Sequence, residues 1–160
     1  MLGHIYLVRG DQELRVDALR SVNGINNEDL STTEELKFSE GQTYLLPAPE
    51  VMLKAKIANL STLKQDDRQD ARHVQIMVAC CRNYLTDYVS AALAGQVTER
   101  DAIDRFMDTL RVIQMTQAQT LNLSFDLNLE KAIPARASLK DLSRLPRLAA
   151  FYDHQMKSRE

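Results

Sequence analysis

The chain has 160 residues, 44% of them hydrophobic and 26% charged, which is enough apolar material for one folded domain and too much for wholesale disorder. Twenty Lys and Arg stand against 22 Asp and Glu, a formal charge of -2. That balance excludes a general polybasic coat for nucleic acid and leaves only a local basic patch open.

The first 47 residues read as strands and turns. Gly3 to Arg9 (GHIYLVR) is a short β-branched and aromatic run that predicts a strand. Gly10-Asp11-Gln12 is a turn signal. Glu13 to Leu19 then alternates Leu14, Val16 and Ala18 against Arg15, Asp17 and Leu19, a period-two strand that would close an antiparallel hairpin with the first. Asn23-Gly24 marks a loop, and Asn26 to Leu30 a short helical turn. Leu36-Lys37-Phe38 and Thr43 to Leu46 flank Ser39-Glu40-Gly41-Gln42, a pattern for a second hairpin.

Helical periodicity takes over after Pro47. Pro49 suits the first turn of a helix because its missing N–H would be unpaired there anyway. Val51 to Leu63 places Leu53, Ile57 and Leu60 on one face, with Lys54 and Lys56 off it. Lys64 to Asp70 is a polar loop that leads into the next helix. From Asp70, Val74, Met77, Val78, Cys81, Leu85, Tyr88, Val89 and Ala92 recur at helical spacing, and Gly95 is a stop signal. Thr98-Glu99-Arg100-Asp101 resembles a capping box with Asp in place of Glu. Ile103, Phe106, Met107, Leu110 and Ile113 form the stripe of a helix separated by Pro134 from a last segment. There, Ser138 is read as a cap, Pro146 as an interruption and Leu148 to Met156 as the resumption. The expected class is α+β: a small antiparallel sheet of two hairpins, then a three- to four-helix bundle, with a boundary between residues 1–47 and 48–160.

No apolar run reaches the about 18–20 residues of a membrane span. The start, Met1-Leu2-Gly3-His4-Ile5-Tyr6, lacks a secretory pattern. Cys80 and Cys81 are adjacent and point apart on a helix, so they suit small core positions better than a disulfide or a metal site. A cytoplasmic protein with no membrane partner is expected.

Two groups of residues are candidates for chemistry. Asp17 sits mid-strand, where aspartate is disfavoured. It reads either as a rigid carboxylate for a divalent cation or as a solvated residue on an open sheet face. The second group is Lys54, Lys56, Arg68, Asp70, Arg72 and His73. Asp70 and His73 lie three apart and can share a helix face. The cations could contact phosphate, or the group could be a salt-bridged helix junction. Tyr84 and Tyr88, four apart, read as packing residues rather than a base-stacking pair. His4 and His154 have no partner at metal-ligand spacing. No Gly-rich phosphate loop, nucleophile elbow, HExxH or CxxC occurs.

Leu14-Arg15-Val16-Asp17-Ala18-Leu19 with Val22-Asn23-Gly24-Ile25, then Leu45 to Leu60 and Arg68 to His73, together resemble the later part of bacterial nucleotidyltransferase-like proteins of the DNA polymerase β superfamily, in particular stand-alone and abortive-infection toxin types. The resemblance spans about Leu14 to Leu85. It implies that residues 1–47 are the β-rich part of a nucleotidyltransferase-like core. It makes Asp17 the third metal-binding carboxylate and the catalytic residue. Lys56 and Asp70 become a polar pair at the sheet–helix junction, and Arg68, Arg72 and His73 join them as substrate- or phosphate-binding residues. The implied cofactor is Mg2+, with an NTP as substrate and a protein or RNA hydroxyl as acceptor.

The family's Gly-Ser turn and its following Asp-x-Asp or Asp-x-Glu strand are absent. No Gly-Ser pair occurs, and Asp11-Gln12-Glu13 falls in the predicted turn. One carboxylate cannot build a two-metal clamp. The expectation is therefore a truncated or degenerate nucleotidyltransferase-like chain, inactive alone. The alternative is a non-enzymatic interaction or regulatory module, antitoxin-like or partner-binding through its helical half. Either could pair with a protein partner or a second copy through an exposed sheet edge.

Overall fold

The computed structural model describes residues 3–9, 12–18, 21–31, 33–37 and 43–157, apart from the side chains of 3–9, 12–18, 36, 37, 44, 156 and 157. Two antiparallel hairpins come first. β1 (Gly3–Arg9) pairs with β2 (Gln12–Ala18) in a register that sets His4 opposite Asp17 and Leu7 opposite Leu14. β3 (Thr33–Lys37) pairs with β4 (Thr43–Pro47), with Glu34 opposite Leu46. The hairpins are separate two-stranded sheets. The turn signals at Gly10-Asp11 and Ser39 to Gln42, together with Leu19 and Phe38, lie outside the described residues. The helical turn expected near Asn26 is a 3-10 turn at Asp29–Ser31.

Five α-helices follow, where the sequence pattern suggested three or four. They are α1 (Pro49–Thr62), α2 (Asp70–Leu93), α3 (Glu99–Gln114), α4 (Thr116–Phe125) and α5 (Pro146–Lys157). The chain is thus α+β and mostly helical. No helix among the described residues is long and apolar enough to cross a membrane.

The helix starts have local causes. Pro49 opens α1, and the Ala48 carbonyl accepts from the amides of Val51 and Met52 at 2.9 and 3.1 Å. Thr98 and Asp101 make the capping box: the Asp101 amide donates to Thr98 Oγ1 at 3.1 Å, and the Thr98 amide donates to Asp101 Oδ2 at 2.8 Å. The Thr98 hydroxyl, which donates to Asp101 Oδ2 at 2.7 Å, and then the Thr98 amide hold the Asp101 carboxyl below its ordinary range.

Three expectations for the chain beyond Ile103 are corrected. The stripe from Ile103 onward does not run on in one helix. Met115 adopts an extended backbone (φ -56°, ψ 136°) that ends α3 and starts α4. The Gln119 side chain donates to the Ile113 carbonyl, replacing an amide bond that a continuous helix would have made. The break lets Val112, Ile113 and Ala118 all reach the core. Likewise, Pro146 begins α5 rather than interrupting a helix. The next two amides, of Arg147 and Leu148, donate to Glu99 Oε2 at 2.9 and 3.1 Å. A side chain from the first turn of α3 therefore caps α5, a long-range device with no local signal. Ser138 caps no α-helix. It ends a 3-10 turn at Arg136–Ser138, with its hydroxyl on the Ala135 carbonyl.

The core lies among the helices. Leu53 and Ile57 of α1, Val74, Leu85 and Val89 of α2, Phe106 and Ile113 of α3 and Leu148 of α5 are all at most 2% exposed. Leu127, Leu129 and Leu142 join them from the irregular connection between α4 and α5. Two left-handed residues, Asp126 and Asn128, bend that connection back onto α2. Asn122 Oδ1 accepts from the Leu129 amide at 3.0 Å. Cys81 belongs to this core, but Cys80 is exposed, because adjacent residues on a helix point about 100° apart.

Residues 21–31 form a strap along α1. Asn23 donates to Thr62 Oγ1 at 2.7 Å and to Asn59 Oδ1 at 3.2 Å. Gly24 has φ 75°, and a Cβ there would lie 2.4 Å from the Ala58 Cβ. Glycine is required twice over, by the left-handed backbone and by the close approach. Asp29 closes the strap on Lys54, with both carboxylate oxygens 2.8 Å from Nζ.

Candidate functional site

The predicted charged group divides when placed in the fold. Asp70, the first residue of α2, has a side chain only 2% exposed. Arg68 reaches back from the α1–α2 connection and grips it with two bonds, Nε to Oδ2 at 2.5 Å and Nη2 to Oδ1 at 3.1 Å. Gln65 adds a donor to Oδ2 at 3.3 Å, and His73 Nδ1 lies 3.8 Å from Oδ1. The Arg68 hydrogen bond is the main reason the Asp70 carboxyl is held below the ordinary aspartate range. Gln65 and the nearby positive charges reinforce it against the effect of burial. Two donors from one planar guanidinium fix the orientation of the connection, and the acid at a helix start also suits the backbone dipole.

The geometry brings Arg68, Asp70 and His73 together and leaves the others at the margin. Lys56 and His73 share a small groove of about 200 Å³ with Ile76 and Met77. Arg72 is exposed and bonds only weakly, at 3.4 Å, to Gln69. Lys54 is engaged with Asp29. Asp17 lies on β2 opposite His4. Its side chain, like that of His4, is outside the described residues. His154 is exposed.

A second polar cluster was not singled out from the sequence. It joins β3, the first turn of α1, the middle of α2 and α3. Glu50 is 3% exposed although it carries an acid. Its Oε1 accepts from Arg105 Nη1 at 3.3 Å, and its Oε2 is buried without a partner. Arg105 stacks over the Tyr88 ring, 5.9 Å from its centroid, and lies 3.8 Å from Asp108. Arg111 pairs with Asp108 at 2.7 Å. The Tyr84 and Tyr88 rings are 4.9 Å apart, and both hydroxyls donate to Glu34 Oε1, that of Tyr88 at 3.3 Å. The two tyrosines therefore pack, as their spacing suggested, and also anchor the second hairpin.

Burial shifts Glu50 and Tyr84 within this cluster. It raises the Glu50 carboxyl above the ordinary glutamate range, and the negative charge of Asp108 acts in the same direction. The Glu50 backbone amide and Arg105 oppose the rise without cancelling it. Burial, followed by the bond to Glu34, pushes the Tyr84 hydroxyl far up, so it stays a donor. Burial likewise raises the Cys81 thiol, which leaves little reactive thiolate there.

Little in the sequence could have located the cluster. Glu50 follows Pro49 at a helix start, where an acid is ordinary. Its burial depends on α3 packing across it. Arg105 and Asp108 are three apart, as any surface pair might be placed.

Beside this cluster lies a cleft of about 330 Å³ between the 29–31 turn, α1 and α3. Among the described residues, no three His, Cys, Asp or Glu side chains come together as a metal site. No protein-family model, no curated protein and no solved structure matches the chain.

Proposed function

We propose that the chain works as an interaction module that engages a protein partner, in the simplest case a second copy, through the β3–β4 hairpin and the adjoining strap. The observation that carries this reading is where the exposed apolar surface lies. Among the described residues, Leu45 is 65%, Leu46 46%, Leu30 45% and Val22 37% exposed. These are half of the large apolar side chains left open, and they come from a short stretch of the chain. Among the described residues each hairpin pairs with no further strand, so its outer edges are the places where another strand could add. Antiparallel pairing of like edges about a two-fold axis would pair the backbone groups there and place the partner's strand beside Leu45 on one face and Leu46 on the other. The charges of the Arg68–Asp70 pair support the same reading, since they are spent on holding the α1–α2 connection rather than left free for phosphate.

Light scattering of the chain over a wide concentration range tests the proposal. A concentration-dependent dimer is expected, and Leu45→Lys should shift it to monomer, because a lysine blunts a sheet edge and its apolar face. A monomer at every concentration, unchanged by Leu45→Lys, would count against self-association through this hairpin. Nucleotidyl transfer by a complete form of the chain, with Asp17 as a Mg2+ ligand and an NTP as substrate, is a separate proposal. It rests on the sequence resemblance alone. Label transfer from an NTP that is lost in Asp17→Ala is its test.

A further inference from the structure

We propose that Asn23 is a site of spontaneous modification: its side chain cyclises onto the Gly24 amide, loses ammonia and opens to aspartate or isoaspartate, which frees the strap 21–31 from α1 irreversibly. The first reason is local. Of the chain's asparagines, Asn23 alone is followed by glycine, whereas the others precede Asn, Glu, Leu or Tyr. Glycine has no Cβ to shield its amide nitrogen or to hinder the rotation that brings that nitrogen over the side chain.

The second reason is the turn itself. Asn23 and Gly24 occupy the middle of an exposed turn that the Ile25 amide closes on the Val22 carbonyl at 3.1 Å. Among the described residues the Gly24 amide has no hydrogen-bond acceptor, so it has no bond to break before it attacks. The Asn23 side chain is held, with Nδ2 on Thr62 Oγ1 at 2.7 Å and on Asn59 Oδ1 at 3.2 Å. A segment fastened by polar contacts opens locally while the core stays folded, and the reaction runs from that open form.

The chemistry needs water and no other reagent. The Gly24 nitrogen gives up its proton to solvent and bonds to Asn23 Cγ. The Cγ–Nδ2 bond breaks, and the departing nitrogen takes a proton and leaves as ammonia. Water then opens the cyclic imide, its hydroxyl going to a ring carbonyl carbon and its hydrogen to the Gly24 nitrogen. Opening at Cγ leaves aspartate. Opening at the main-chain carbonyl leaves isoaspartate, with the backbone routed through Cγ.

Neither product fits the old contact, because both replace the Nδ2 donor by a carboxylate. The Thr62 hydroxyl hydrogen is committed to the Ala58 carbonyl at 2.8 Å. Thr62 therefore turns a lone pair toward the new charge, as does the Asn59 side-chain oxygen. An amide flip at Asn59 recovers a donor there and leaves Thr62 opposed. Isoaspartate also lengthens the backbone beside Gly24, where one added Cβ would already come within 2.4 Å of the Ala58 Cβ.

The test incubates the full chain in mildly alkaline buffer made with heavy-oxygen water, then digests it in ordinary water for peptide mass spectrometry. Asn23 should gain the heavy oxygen about tenfold faster than any other asparagine, because glycine alone leaves the attacking amide open. Asn23→Gln keeps an amide but would have to close a larger ring, so residue 23 should stay unlabelled. In the converted chain the amides of residues 21–31 should exchange about tenfold faster, the size of one or two lost hydrogen bonds, while α2 and α3 keep their protection. Asn23→Asp carries the aspartate product from the start and should show the same loosening without incubation. No preferred label at Asn23, equal label at residue 23 in Asn23→Gln, or full strap protection in either the converted chain or Asn23→Asp would overturn the proposal.

Discussion

The described parts of the segment 21–47 and the helices after it are held in place by different forces. Among the described residues, the members of the main hydrophobic core lie at or beyond Leu53. The earlier segment is fastened instead by polar contacts: Asn23 on Asn59 and Thr62, Asp29 on Lys54, and Glu34 under the hydroxyls of Tyr84 and Tyr88. Apolar burial is strong and indifferent to direction, whereas net hydrogen bonds and part-exposed ion pairs are each modest. One chain therefore carries a robust scaffold and a clamped attachment that can loosen without unfolding the rest.

The harshest way to break that contrast is to remove core volume. Phe106 is 1% exposed and meets Tyr152 edge-on, with ring centroids 6.1 Å apart. Phe106→Ala should cost about 3–5 kcal/mol. Urea denaturation followed by helical circular dichroism reads the loss. A cost small enough to resemble a surface substitution would mean that the helices do not share this core.

Gly24→Ala tests the attachment next. An alanine there would hold a left-handed backbone and drive its Cβ to 2.4 Å from that of Ala58. The expected penalty is about 1–3 kcal/mol. It should appear as faster amide exchange in residues 21–31 while α2 and α3 keep their protection. Equal loss of protection in both regions would show that the strap and the core unfold as one unit.

Much of this division was readable from residues, and the reasons for the exceptions are physical. The α1 and α2 stripes follow from apolar residues at helical spacing, and the Thr98–Asp101 box from local hydrogen-bonding chemistry. The break at Met115 carries no proline or glycine, because Gln119 and the packing of Ala118 cause it. The start of α5 depends on Glu99, 47 positions before Pro146, so proline alone was ambiguous. Of the candidate charged group, Asp70 and His73 were legible as neighbours on one helix face. The grip of Arg68 on Asp70 needed the connection to fold back. Glu50 was invisible because nothing beside it in sequence shows that α3 will cover it.

Asp70 supplies a pH-dependent test on the scaffold side. Its folded-state carboxyl titrates below the unfolded one. Its contribution is therefore present above the ordinary aspartate range and is lost as the pH falls through the lowered folded value. Asp70→Asn should cost about 1–2 kcal/mol near neutral pH, since asparagine keeps one acceptor but not the charge. The gap from the parent chain should close in strong acid. Urea titrations at neutral and acid pH measure it, and a gap that widens on acidification would contradict the ion-pair account.

The smallest expected effect is the most selective for the attachment. Tyr84→Phe keeps the ring that packs against Tyr88 and removes only the hydroxyl that donates to Glu34. Tyr88 retains its own weaker bond to the same oxygen, at 3.3 Å, so part of the anchor survives. A loss of about 0.5–1.5 kcal/mol is expected, the net worth of one hydrogen bond, toward the upper end because the acceptor is a carboxylate. Amide exchange should place that loss in β3 and β4 rather than in the helices. Glu34→Gln should weaken the same strands, and combining it with Tyr84→Phe should cost less than the two separate losses together, because both remove one shared contact. Full additivity would mean that the tyrosine and the acid act on the hairpin independently. The second hairpin would then be held by something other than this clamp.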